Sequence, residues 1–215
     1  MVQSDGRPAP GRGFFVTLLS TSLPSPLINL MVDFAYLDRA MARHRMTPLI
    51  GTRRRAVLET HNALQHTLLS SSAWEPLDPP AKATSDPAIH SCCRLAALIY
   101  SNAVLFALPT HSAWNVGLTS KLRCLLDKYT YGEWPAGTLD MLIWVLFVGG
   151  LASTRPREQS FFKQTLRKAL HRKGDPSWSA VQAILTDFIW SCEACGSYAW
   201  DIWLSTITDG SVEPV

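Results

Sequence analysis

The sequence predicts an all-α fold, an irregular bundle of six or seven helices around one buried hydrophobic helix. The stretch 139–153, LDMLIWVLFVGGLAS, carries no charge between Asp140 and Arg155 and points apolar side chains in every direction, as a helix buried on all sides does. On both sides of it apolar residues recur with the 3.6-residue helical period. A buried strand through MLIWVLFV would need sister strands, and no other stretch supplies them. The uncharged run also falls short of the roughly 20 residues that cross a bilayer. Gly149 and Gly150 near its end each cost about 1 kcal/mol relative to Ala, unless they admit a close neighbour or a turn.

Residues 1–25, rich in Gly, Pro and Ser, show no period and are expected to form a disordered tail, leaving 26–215 as a single helical domain. Arg7 and Arg12 ahead of the apolar run 14–23 imitate a signal peptide. Ser20, Thr21 and Ser22 interrupt that run, and Pro24 and Pro26 stand where a small-residue cleavage site belongs, so a tail is the reading preferred. From 27 to 44, Leu27, Leu30, Met31, Phe34, Leu37 and Met41 repeat at helical spacing, with Arg39, Arg43 and Arg45 toward the end that favours positive charge. A second helix runs from 48 or 52 to 69, with Val57, Leu58, Leu64, Leu68 and Leu69 inward. The proline-rich 71–87 reads as a long surface connection.

Asp86 as N-cap and Pro87 at the first position open a third helix, 87–108, with the stripe Cys92, Leu95, Ala96, Ile99, Ala103 and Phe106 and a stop at Pro109. A fourth spans 118–129 on Leu118, Leu122, Leu125, Leu126 and Tyr129. After the central helix, Pro156 opens another with Glu158 in its first turn. Phe161, Phe162, Leu166, Ala169 and Leu170 face inward, and Arg172, Lys173 and Gly174 close it. A last pattern follows Pro176 through Trp178, Val181, Ile184, Leu185, Phe188, Ile189 and Cys192, and is read as continuing to Trp203.

At 215 residues the chain can bury roughly 70% of its unfolded surface. Charged residues are 17%, below the usual quarter, and eight Trp is a heavy load, so exposed apolar surface or a covering partner is expected. The net charge of +3 is too mild for a nucleic-acid-binding domain. Five cysteines, an odd number, argue for free thiols in a reducing compartment.

Each constellation that carries chemistry has a plainer reading beside it. Cys192 and Cys195 make one C-x-x-C without the second pair that structural zinc requires, so they are taken as structural thiols; Cys92 and Cys93, adjacent in a helix, are taken likewise. His61 and His66 share a helix with Glu59, but their separation of five does not put both on one face as the spacing of four in H-E-x-x-H does. The runs Arg53, Arg54, Arg55 and Arg167, Lys168, Arg172, Lys173 suit phosphate contact or nuclear import, against the default of solvated helix faces. Trp190, Trp200 and Trp203 suit a ligand pocket, against a core seam. No phosphate-binding glycine loop or nucleophile elbow occurs. No catalytic, cofactor-binding or metal residue is therefore assigned, and no cofactor.

Four ordered segments resemble a known family. They are Cys93-Arg94-Leu95-Ala96-Ala97-Leu98-Ile99-Tyr100; Leu142-x-Trp144-x-Leu146-Phe147-x-Gly149-Gly150-x-Ala152; Arg157-Glu158 followed by Phe161-Phe162; and Trp178-x-x-Val181-x-x-Ile184-Leu185-x-x-Phe188-Ile189-Trp190 with Cys195 beyond. Over roughly 50–204 the set resembles the C-terminal part of the regulatory domain of fungal transcription factors whose DNA-binding module is a six-cysteine binuclear zinc cluster. That resemblance implies a non-enzymatic helical domain in the nucleus (the alternative is the cytoplasm). It implies action on transcription through protein partners, of the machinery or the family, or through a small inducer, with no membrane and no specific DNA binding by this chain alone. The zinc cluster, its basic linker and coiled coil are absent from the sequence given, which leaves open a truncated gene product, a fragment or a stand-alone regulator. The alternative function is a stand-alone helical domain that binds a small molecule or is an enzyme.

Overall fold

The stretch that the sequence places at the centre is the helix about which the others pack. A computed structural model of the chain describes residues 13, 25–44, 51–70, 87–128, 134 and 136–208. These form eight α-helices: α1 Ser25–His44, α2 Thr52–Leu69, α3 Pro87–Tyr100, α4 Ala113–Lys128, α5 Leu139–Ala152, α6 Pro156–Lys173, α7 Trp178–Asp187 and α8 Cys192–Thr208. No strand occurs among the described residues. The fold is all-α, as expected. The expected tail falls outside the described residues except for Gly13 and Ser25, the latter the first residue of α1; the Asp86 cap and most of the 71–87 connection also fall outside them.

Every residue of α5 from 141 to 150 is buried, and α3, α4, α6, α7 and α8 all pack on it. Each large apolar side chain withdrawn from water this way contributes about 1.5–3 kcal/mol before the entropy of ordering is set against it. Gly149 and Gly150 serve close approach: a Cβ at Gly149 would overlap the Phe162 ring of α6, and one at Gly150 would lie 3.1 Å from Ile202 Cδ1 of α8. The antiparallel α5–α6 pair is closed by Lys173, at the end of α6, on Asp140 at the start of α5, 2.5 Å apart. α6 ends on Gly174 in the left-handed region, φ 84°, where its N–H reaches the Leu170 and His171 carbonyls.

Four expectations need correction. The last pattern is two helices, which makes eight α-helices among the described residues where six or seven were expected. The chain leaves the helix at Phe188, the Ile189 carbonyl accepts the Trp144 indole N–H at 2.9 Å, and Ser191 Oγ accepts the Ala194 N–H to cap α8. The third helix does not run regularly to 108. Beyond Tyr100 it widens into a π-helical turn, Ser101–Leu105, and Ala107 takes φ 49°. α4 begins five residues early, at Ala113, because the Pro109 carbonyl gathers the Ser112 N–H and Asn115 Nδ2 ahead of it. On α2, Leu58 and Leu69 are exposed, and the inward stripe is Val57, His61, Leu64 and Leu68.

Among the described residues one helical window, Ala88–Leu105, is long and apolar enough to cross a bilayer by composition, with mean hydropathy 1.3. Of that window, 67% is buried in the body.

Candidate functional site

α1 and the α7–α8 connection enclose a cleft of about 500 Å³. Asp38 of α1 lies on its wall although it belongs to the apolar stripe of that helix, four residues beyond Phe34, and is only 5% exposed. The fully buried Tyr100 hydroxyl donates to Asp38 Oδ1 at 3.2 Å and accepts the Ser191 N–H at 2.7 Å. One phenol thus ties α1, α3 and the start of α8 together. Burial, with the Asp38 carboxylate and Cys195 next, holds the Tyr100 phenol far above its ordinary range, so it stays protonated and keeps donating. Phe188, Ile189 and Trp190 form the apolar side of the cleft, with Arg39, Cys192 and Glu193 also on its walls. The Cys192 thiol is pushed up by part burial and then by Asp38, with Glu193 adding to it, so it is no reactive thiolate.

A second polar cluster lies under α2. His61 Nε2 and Ser101 Oγ share a hydrogen bond of 2.7 Å, and Gln65 Nε2 donates to Asn102 Oδ1 at 2.8 Å. The extra residue of the π turn turns Ser101 and Asn102 together toward α2. A serine beside a histidine is the start of a nucleophile and base. Both are sealed, however, at 0% and 2% exposure, and Phe106 lies 3.7 Å from the imidazole, ring centre to ring centre. Burial lowers the His61 pKa to about 4, a weak base, so the pair is a structural tie.

The residues singled out in sequence scatter. His66 and Glu59 are exposed and apart from His61, and Glu59 pairs with Arg55 at 2.7 Å. Cys192 is exposed and Cys195 buried; Cys92 and Cys93 are both buried. Among the described residues no three His, Cys, Asp or Glu come together to hold a metal ion. Trp190 parts from the other two tryptophans: it is buried against Tyr100 and Phe147, whereas Trp200 and Trp203 join Trp178 at the surface with ring centres 4.8–5.6 Å apart. Along the outer side of α8, Trp200, Leu204 and Ile207 are exposed at 41, 39 and 37%.

Three members of the second basic run bond to neighbouring parts of the fold, while Lys168 is exposed. Arg167 Nε donates to the Thr206 carbonyl at 2.8 Å, an Arg172 amine to the Trp134 carbonyl at 3.0 Å, and Lys173 meets Asp140. Arg94 likewise closes the end of α2 on the Leu68 and Leu69 carbonyls. Asp38, Tyr100 and Ser101 were not singled out from sequence. A carboxylate on an apolar helical stripe was the available signal for the first; Tyr100 and Ser101 carry none, since their partners lie 91 and 40 residues away.

No curated protein and no solved structure matches this chain. The sequence does match the fungal specific transcription factor domain over residues 19–211, and no zinc-cluster domain is detected. That family is not enzymatic, and its proteins are generally nuclear. Matched over most of its length, the chain belongs to the fungal-specific transcription factor domain family, with a role in transcription regulation.

Proposed function

We propose that this chain regulates transcription in the nucleus by contacting other proteins through the outer side of α8, without specific DNA binding of its own. The observation that carries the reading is a division of labour on the surface. Arg94, Arg167, Arg172 and Lys173 are spent on carbonyls and on Asp140, while Trp200, Leu204 and Ile207 stand exposed on one helix. Specific DNA recognition needs an element in a groove and enough Lys and Arg to displace counterions. An exposed Trp in an apolar patch instead suits a protein-binding surface. A small inducer acting through the cleft is the second input, supported by the cleft's size and mixed walls.

Fusing the full chain to an unrelated DNA-binding module upstream of a reporter tests this. The expected result is a change in reporter output that Trp200→Ser with Leu204→Ser abolishes while leaving thermal stability within a few degrees. An unchanged output from the double variant removes α8 as the contact surface. Titration against random duplexes at near-physiological salt should enrich no sequence. Submicromolar enrichment abolished by changing Arg53, Arg54 and Arg55 to Ala overturns the statement about DNA.

A further inference from the structure

All 20 Lys and Arg of the chain precede Gly174, whereas from Gly174 to Thr208, through α7 and α8, the charged residues are Asp175, Asp187, Glu193 and Asp201. A split of charge between two parts of one chain selects the sign of a partner. Along α8 the exposed residues Glu193, Ser197, Trp200, Leu204 and Ile207 follow one another at spacings of four, three, four and three, the a and d register of a seam between helices. Cys195, Ala199, Ile202 and Thr206 repeat that register on the buried side, so the outer seam is left over once the inner one is packed on the body. It extends about 21 Å at 1.5 Å per residue. Trp200 is already held in place: its ring centre lies 4.8 Å from that of Trp203 and 5.4 Å from that of Trp178, and the Trp203 indole N–H donates to the Pro176 carbonyl at 2.7 Å. An anchor ordered in advance costs little entropy on binding.

The carboxylates stand along that seam. Glu193 heads it, Asp201 follows Trp200, and Asp175 comes just before Trp178 in the chain; all three acids are exposed, and among the described residues none takes part in an ion pair. Two cations of α6 lie beside α8: Lys163 lines a cleft together with Asp201 and Ser205, and Arg167 is tied to the Thr206 carbonyl. We infer that the partner taken by this surface is a basic amphipathic helix of another protein, its apolar stripe laid along Trp200, Leu204 and Ile207 and its Lys or Arg side chains reaching Glu193 and Asp201. The inference rests on α8 being the contact surface, as proposed above, and adds the chemistry of what binds there. The same acids turn away nucleic-acid phosphates and anionic lipid. A second copy of this face either opposes carboxylate to carboxylate or lays Glu193 against Ile207, which disfavours self-pairing. Charges at the edge of such a seam act chiefly on partner choice and on association rate, so the preference for a basic helix is sensitive to salt.

The test titrates the full chain into three labelled synthetic peptides, helical over three heptads, that share one stripe of Leu and Ala and carry Lys, Gln or Glu on its flanks, with fluorescence anisotropy as the readout. At low salt the Lys peptide should bind one per chain with Kd below about 100 μM, at least about tenfold tighter than the Glu peptide and with the Gln peptide between them, and about 0.5 M salt should remove most of that advantage. Trp200→Ser with Leu204→Ser should abolish binding of the Lys and Gln peptides. Glu193→Gln with Asp201→Asn, both at exposed positions, should leave the unfolding temperature unchanged and bring the Lys peptide down to the affinity of the Gln peptide. Absent binding, equal affinity for the Lys and Glu peptides, binding that survives Trp200→Ser with Leu204→Ser, or indifference to the carboxylate variant each overturns the inference. Self-association of the chain that the Trp200 and Leu204 substitutions dissolve overturns it too, since a second copy is then the occupant. Lys-peptide binding that depends on Trp200, beside a reporter deaf to the same substitutions, keeps the basic partner and removes α8 as the regulatory surface; a responsive reporter beside peptides that bind without regard to charge keeps α8 and removes the basic partner.

Discussion

At the scale of single residues, the informative side chains are polar groups on apolar stripes. His61 occupies the place on α2 where an aliphatic residue would ordinarily sit, and is held there neutral by burial. Its folded pKa of about 4 lies below the 6.5 of a free imidazole, so in acid the unfolded chain takes up the proton first. The stability it confers is complete above about pH 6.5 and is lost as pH falls toward about 4, a total of roughly 2–4 kcal/mol. His90, lowered by burial and then by Arg94, adds in the same direction. Urea unfolding should therefore show a lower midpoint at pH 5 than at pH 7.5, and His61→Gln should remove most of that difference. An unchanged difference assigns the acid sensitivity to another group. In the sequence His61 was one of two histidines at an unhelpful spacing; what it does was hidden because Ser101 faces it only through an irregular turn.

At the scale of elements, the most legible was α5, because a run apolar on every side admits no other placement. The breaks were less legible. Nothing in the pattern from Trp178 to Trp203 marks the interruption at Phe188, which exists because Trp144 and Tyr100 take up the backbone groups released there. The paired glycines of α5 give a sharp comparison. Gly149→Ala drives a methyl into the Phe162 ring and should cost about 1–3 kcal/mol, even though Ala favours the helix by about 1. Gly150→Ala meets only the flexible end of Ile202 and should be within about 1 kcal/mol of neutral. Phe162→Leu placed on Gly149→Ala should recover part of the loss. Equal effects at the two glycines, read from urea denaturation, would mean that α6 moves freely relative to α5.

At the scale of the whole molecule, burial is uneven. α5 is enclosed by five helices, whereas α2 fully buries His61 and Leu68, part-buries Val57 and Leu64 and leaves Leu58 and Leu69 in solvent. Native-state hydrogen exchange should therefore find α5 amides protected to the full unfolding free energy and α2 amides opening at a fraction of it. Uniform protection across both helices would show that α2 is held by more than its narrow stripe. The overall class followed from helical periods that recur along the chain. Which face is offered to partners did not, because exposure of Trp200 and burial of Trp190 depend on the break between them.

The ties at that break also set an order of events during synthesis. Tyr100 and Trp144 find their backbone partners 91 and 45 residues later, at Ser191 and Ile189. A nascent chain halted before residue 189 can still pair the Tyr100 phenol with Asp38, but it must either leave the Trp144 ring in water or bury its indole N–H without the Ile189 carbonyl, at about 1–3 kcal/mol. The central helix should stay loosely clasped until the α7–α8 connection has cleared the ribosome exit tunnel. A force-sensitive arrest sequence placed at successive lengths should release only after that connection emerges; release at a length ending within α6 would show that the body closes without it.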